Sequence, residues 1–112
     1  MHLIIKLKEL KNLMCNPRSV LIDVLPEEEY QKSHIQGAIN IPLDRIAQTC
    51  RKNYCPEQIL IVYCSDNKCA ASNLAAHKLT ISGFSSVFEY RGGKKNWQEA
   101  GLPLVFNSNN FQ

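Results

Sequence analysis

Ile59-Leu-Ile-Val-Tyr63 is an apolar run that stops at Cys64, passes through the polar stretch Ser65-Asp-Asn-Lys68 and Cys69, and gives way to an alanine-rich helical pattern from Ala70. A chain that writes strand, loop and helix in that order constrains its fold, and it places a thiol at the junction. The thiolate is the reactive form of cysteine, and the start of a helix favours negative charge through its free N–H groups and its dipole. Cys64 therefore has an address suited to nucleophilic chemistry.

The rest of the chain repeats the alternation. Leu7, Leu10, Leu13 and Met14 recur at helical spacing among lysines, and Asn16-Pro17 closes that helix before the short buried strand Val20-Leu-Ile-Asp23. Pro26 followed by Glu27-Glu-Glu29 predicts a short helix ending near Lys32, because proline suits a first turn and acids suit the positive end of the dipole. Ala38 to Ile41 reads as a brief extended piece stopped by Pro42, and Leu43 to Cys50 as a helix with Leu43, Ile46 and Ala47 on its apolar side. Beyond Ala70, the residues Ala71, Leu74, Ala75 and Leu79 line one helix face, with Asn73, His77 and Thr80 on the other. Gly83-Phe84 predicts a left-handed cap with its hydrophobic contact, Ser86 to Tyr90 the last strand, and Gly92-Gly93 a turn. Asn96 to Ala100 follows as a short helix capped by Gly101 and stopped by Pro103. Strands alternating with helices at these spacings predict a single α/β domain with a largely parallel sheet, whose reactive loops gather at the carboxyl ends of the strands. The expected domain covers residues 1–106, with 107–112 as a polar tail.

Composition narrows the function classes. A chain of 112 residues can build one hydrophobic core without disulfides or metal to staple it. The net charge of +3 is small and both signs are interspersed, and the short basic runs Lys6 to Lys11 and Arg91 to Lys95 read as solvated faces. Nucleic-acid and membrane-surface partners are not expected. The longest apolar run falls far short of the roughly 20 residues of a membrane-spanning helix, and the N-terminus lacks the apolar stretch and cleavage site of a secretory signal. Five cysteines, Cys15, Cys50, Cys55, Cys64 and Cys69, make an odd count that fits reduced thiols better than a disulfide framework, so a cytoplasmic location is expected.

Three separated segments are familiar together. Leu21-Ile-Asp-Val24 with Glu29-Tyr30 and His34-Ile-Gln-Gly-Ala-Ile-Asn-Ile-Pro42, then Ile61-Val-Tyr-Cys64, then Gly83-Phe84, Tyr90-Arg-Gly-Gly93, Trp97 and Ala100-Gly-Leu-Pro103 resemble the opening, active-site and closing motifs of rhodanese-like domains. The resemblance runs from about Leu3 to Pro103 in the family's order and spacing. It implies a three-layer domain with a mainly parallel five-stranded sheet flanked by helices, and a sulfurtransferase cycle that uses no cofactor. In that cycle the Cys64 thiolate takes sulfane sulfur from thiosulfate or a persulfide donor, holds it as a persulfide, and passes it to a thiophilic acceptor: a thiol, cyanide or a sulfur-relay protein. Such chemistry needs a cradle for a negatively charged sulfur. The backbone N–H groups of Ser65, Asp66, Asn67, Lys68, Cys69 and Ala70, curling into a helix N-terminus, are placed to form one.

Two departures from the family pattern carry information. Many members end this loop on a basic residue where this chain has Cys69, which leaves Lys68 and Arg91 as secondary candidates for contact with an anionic donor. The arginine that often follows the aspartate of the opening motif is here Leu25. The loop also discriminates against cysteine phosphatases, which need an arginine six residues after the nucleophile to grip phosphoryl oxygens, since that position is Ala70.

Competing readings stay open for several residues. Cys69 is either a small residue at a first helical turn or a resolving thiol that attacks a persulfidated or oxidised Cys64 and closes a disulfide across the loop. At the level of the whole chain, the alternatives are a non-catalytic rhodanese-like module that presents the loop to a partner protein, and a redox switch using Cys64 and Cys69. The equal gaps between Cys50 and Cys55 and between Cys64 and Cys69 invite a zinc site, but structural zinc more usually takes tighter knuckles, and no metal is expected. Cys15 and Cys50 read as packing residues on helices, and Cys55 as exposed before Pro56. Asp23 and His34 read as structural hydrogen-bonding groups that fix the opening loop, His77 as a solvated histidine, and Trp97 with Leu102 as core.

Overall fold

The fold is organised around β5 (Ile59–Tyr63), the central strand of a computed structural model that describes residues 2–106. Its two faces are both buried. Leu60 and Val62 point to one side and Ile61 and Tyr63 to the other, all at 0% exposure, as the period of two along a strand requires. A strand buried on both faces belongs inside a parallel sheet covered by helices. β5 pairs in parallel with β2 (Ser19–Asp23) on one edge and β6 (Ser86–Tyr90) on the other, with Ile61 opposite both Leu21 and Phe88. Outside these lie β4 (Ile39–Asn40), beside β2, and β1 (Leu3–Ile5), beside β6. The five-stranded sheet is parallel throughout, in the order β1-β6-β5-β2-β4.

Helices α3 (Ile46–Asn53) and α4 (Ala71–Ile81) cover one face, where Ile46, Cys50, Ala75, Ala76 and Leu79 close over Ile22, Leu60 and Val62. Helices α1 (Leu7–Met14) and α5 (Gly93–Glu99) cover the other, with Leu10 and Trp97 packed among Leu21, Ile61 and Tyr63. The Trp97 indole donates to the Pro103 carbonyl at 2.8 Å, so the ring is core with its polar atom satisfied. The remaining helix, α2 (Glu27–Lys32), leads into β3 (Ser33–Ile35), which forms a separate antiparallel pair with β7 (Leu104–Phe106).

Several elements depart from the sequence expectation. Ser86 to Tyr90 is not the last strand, because Leu104–Phe106 returns to pair with Ser33–Ile35. Strands of three residues carry too little alternation to register by pattern, and β1, β3 and β7 exist through their partners. The helix expected from Leu43 opens with a 3-10 turn, Leu43–Arg45, before the α-helix starts at Ile46. On α4 the buried set is Ser72, Ala75, Ala76 and Leu79, whereas Leu74 is 47% exposed. The helix lies on the sheet through its small residues, which lets it approach closely and turns the leucine outward. Cys15 is exposed just past the end of α1 and not a packing residue, while Cys50 is fully buried as expected. The tail 107–112 lies outside the described residues. Among the described residues no helix is long and apolar enough to cross a membrane.

Candidate functional site

Cys64 stands one residue beyond the carboxyl end of β5, in the middle of the parallel sheet, where open α/β sheets place their ligands. The loop 65–70 connects it to α4, and its tip, Asn67 and Lys68, is exposed. Two of its amides are used internally: Lys68 N–H donates to Asp66 Oδ1 at 3.0 Å and Cys69 N–H to the Asp66 carbonyl at 3.2 Å. Those two of the six expected cradle donors are engaged inside the loop.

The start of α5 holds the loop from the other side. Lys94 and Lys95 N–H donate to the carbonyls of Cys64 and Ser65, both at 2.9 Å. That contact requires glycine at position 93. Gly93 has φ +68°, and a Cβ there would sit 2.5 Å from the Cys64 carbonyl oxygen and 2.9 Å from the Ser65 carbonyl carbon. The helix therefore begins at Gly93, three residues before the expected start, because its first amides are what bind the loop. The Gly92-Gly93 pair is a helix start and not a free turn.

The Cys64 side chain is fully buried. Its S–H has three oxygen neighbours: Ser72 Oγ at 3.4 Å, the Cys69 carbonyl at 3.5 Å and the Asp66 carbonyl at 3.9 Å. Burial, reinforced by the neighbouring Cys69 sulfur and only partly offset by Ser72, pushes the thiol up to about 11. Cys69 is half-buried and behaves in the opposite sense. Burial alone would raise it, but the Cys64 thiol, the Ala71 and Ser65 backbone and the Ser65 hydroxyl outweigh that and hold Cys69 below an ordinary cysteine. Of the two sulfurs, Cys64 holds its proton more tightly than an ordinary cysteine and Cys69 less tightly.

Behind Cys64 runs a buried polar chain that sequence reading did not find. Ser72 Oγ donates to Glu89 Oε2 at 3.0 Å, and Glu89, at 0% exposure, receives Arg91 in bidentate fashion, Nε at 3.1 Å and Nη2 at 3.0 Å. Asn73 Nδ2 at 3.4 Å and His2 Nε2 at 3.2 Å complete its surroundings. Burial works to raise the carboxyl, yet Arg91, Ser72 and Asn73 together hold it below the usual glutamate range. Arg91, a candidate for substrate contact, is thus committed to Glu89 through two of its nitrogens. A signal for this chain existed in the sequence: Glu89 is a lone acid between Val87-Phe88 and Tyr90, inside a strand.

The opening motif is structural in its hydrogen bonding. Asp23 Oδ1 accepts Leu25 N–H at 2.9 Å, His34 Nδ1 lies 2.9 Å from the Tyr30 carbonyl, and the Tyr30 and His34 rings stack at 3.8 Å. Asn40 Nδ2 ties the same turn to the Asp23 and Leu25 carbonyls at 3.0 and 2.9 Å. His77 is on the solvent face of α4.

A family model for the rhodanese-like domain matches residues 6–100. The HTH-type transcriptional regulator Rv0324 of Mycobacterium tuberculosis is 34% identical over 84 residues, which cover 75% of this chain and 36% of the regulator. Among solved structures, the BH2092 protein from Bacillus halodurans superposes with a TM-score of 0.85 at 26% identity, over 94% of this chain and 77% of that one. A thiosulfate sulfurtransferase from Pseudomonas aeruginosa shares the fold, with a TM-score of 0.80 at 23% identity over 96% of this chain and 21% of that one. The sheet order, the loop after β5 and the match over residues 6–100 agree: this chain belongs to the rhodanese-like domain family.

Proposed function

We propose that the chain is a sulfurtransferase that moves sulfane sulfur from thiosulfate or a persulfide donor to a thiophilic acceptor, with Cys64 as the persulfide carrier. The observation that carries this reading is a cysteine at the carboxyl end of the central parallel strand, followed by a tight loop and a helix N-terminus, within a rhodanese-like domain. A sulfane sulfur transfer needs a thiolate, a confined site and an acceptor with access. The paired sulfurs of Cys64 and Cys69 supply the first two, and the exposed tip at Asn67 and Lys68 leaves the loop open to an acceptor thiol, to cyanide or to a sulfur-relay protein. A reducing, cytoplasmic setting suits the reading, since all five cysteines are free.

The test is intact-mass measurement after incubation with thiosulfate or an organic persulfide. Gain of the mass of one sulfur atom, absent from the Cys64→Ser Cys69→Ser double variant, is the expected outcome. No adduct with either donor class would overturn the proposal. Complete burial of Cys64 favours a second reading, a binding module that presents the loop to a protein without sulfur transfer, and that module predicts the same absence of adduct.

A further inference from the structure

We propose that the cavity between the start of α1 and the loop 65–70 binds a low-molecular-weight organic thiol that carries a carboxylate, and that Lys6 selects this acceptor by charge. The inference rests on the sulfur-carrier reading and names the class of acceptor that the same site takes.

The cavity, of about 460 Å³, lies at the carboxyl ends of β1 and β6 and has the size that takes a small organic molecule. Ile4, Ile5, Leu7 and Tyr90 give it apolar walls, and Ile4, on the edge strand of the sheet, is 53% exposed. Thiosulfate has no apolar surface to lay against such walls, which suit a ligand with an organic body. The polar side chains of the lining are Lys6, Arg91, Asn67 and Asn96, with no acid among them. Lys6 forms no ion pair among the described residues, and the acid nearest to it in sequence, Glu9, accepts the Lys6 backbone N–H at 2.8 Å. Arg91 spends Nε and Nη2 on Glu89, and its side chain is 41% exposed, so Nη1 remains for a ligand. Asn96 receives the Tyr90 hydroxyl on Oδ1 and keeps its Nδ2 hydrogens to donate. Cations and amide donors without a competing acid favour an anion, and a carboxylate matches them. Two neighbouring cavities balance their charges instead: one sets Lys95 against Asp66 and Glu99, the other Lys78 against Asp44.

Two features tie the cavity to Cys64. Its wall at Asn67 is the tip of the loop that follows Cys64. Its Arg91 is joined to the Cys64 sulfur through Glu89 and Ser72, by contacts of 3.0, 3.0 and 3.4 Å. A thiol whose carboxylate is held by Lys6 and Arg91 therefore lies against the loop of the sulfur carrier. In the transfer, the acceptor thiol R–SH gives up its proton and its sulfur bonds to the outer sulfur of Cys64–S–SH. The S–S bond to Cys64 breaks, the Cys64 sulfur leaves with the electron pair and takes up a proton, and the acceptor departs as R–S–SH. One S–S bond replaces another, with no net oxidation or reduction.

Two measurements test the assignment. In the first, turnover with a sulfur donor is followed against N-acetylcysteine and its uncharged amide as acceptors, for the wild type and Lys6→Gln. The expected result is a half-saturating concentration about threefold lower for the carboxylate than for the amide in the wild type, a difference that Lys6→Gln removes while the maximal rate with the amide stays the same. Equal half-saturation by the two thiols in the wild type, or a Lys6→Gln effect of the same size on both, overturns the inference and leaves the sulfur-carrier reading intact. The second needs no sulfur transfer: S-methyl-N-acetylcysteine, which cannot react, is titrated into the unloaded protein and followed by amide NMR. Shifts at Lys6, Leu7, Asn67 and Gly92, weakened in Lys6→Gln, are expected, and their absence overturns the inference. Failure of the wild type to load sulfur from any donor overturns the sulfur-carrier reading, and the titration then decides the cavity by itself.

Discussion

Ser72 has one hydroxyl hydrogen and two buried neighbours, the Cys64 thiol and the Glu89 carboxylate, and the carboxylate holds it. That allocation makes Ser72 more than a small helical residue. Ser72→Ala removes a donor from a carboxylate at 0% exposure, and the expected cost is about 1–3 kcal/mol, read as a lower urea midpoint with an unchanged slope. Glu89 itself sets a pH dependence. Its carboxyl sits below the ordinary value of 4.5 in the folded protein, because Arg91, Ser72 and Asn73 outweigh burial. The stability it contributes is therefore fully present above the unfolded value and is lost as pH falls through the lower folded one. The difference in unfolding free energy between wild type and Glu89→Gln is expected to be constant above about pH 5 and to shrink on acidification below 4.5. A difference that grows on acidification would contradict the ion pair.

At the scale of elements, α4 and α5 divide the work of placing the loop. Because α4 rests on Ala75 and Ala76, both fully buried, the sheet has no room for a larger side chain there. Ala76→Leu is expected to destabilise by about 1–3 kcal/mol through overpacking, while Leu74→Ala, at 47% exposure, should change stability by less than about 1 kcal/mol. A denaturation series on the two variants separates this packing from the one that apolar periodicity suggests, which would reverse their order. α5 acts through its first turn. Gly93→Ala would bring a methyl to 2.5 Å from the Cys64 carbonyl oxygen in a conformation with φ +68°, so the loop or the helix must shift. The expected outcome is a folded protein, destabilised by about 1–3 kcal/mol, whose sulfur uptake falls more than its helix content as read by circular dichroism.

The molecule as a whole places one strand end, one loop and two helix starts in the same place, and what it can bind there follows from which side chains reach in. A phosphoryl group needs a guanidinium at the end of the loop, and that position is Ala70, with Arg91 already paired to Glu89. The expected outcome is no turnover of an aryl phosphate, and turnover that depends on Cys64 would contradict it. Much of this architecture was legible along the chain. The apolar run from Ile59, the helical spacing of Leu7 to Met14, the glycine cap at Gly83 and the address of Cys64 are all local patterns, and the family motifs add their order. Each of these is set by residues a few positions apart, where backbone geometry and periodicity speak directly. The short strands β1, β3 and β7, the small-residue face of α4 and the contact of Gly93 with Cys64 were not legible, because each depends on a partner distant in sequence. So does the state of the two sulfurs. Sequence alone determined that a cysteine stands between strand and helix with a second cysteine five residues on. Only the tertiary structure decided that Cys64 is buried beside two carbonyls and a serine bound to a glutamate 17 residues further along, while Cys69 is partly exposed. Proton affinity is set by burial and by neighbours in space, and neither is encoded in spacing along the chain.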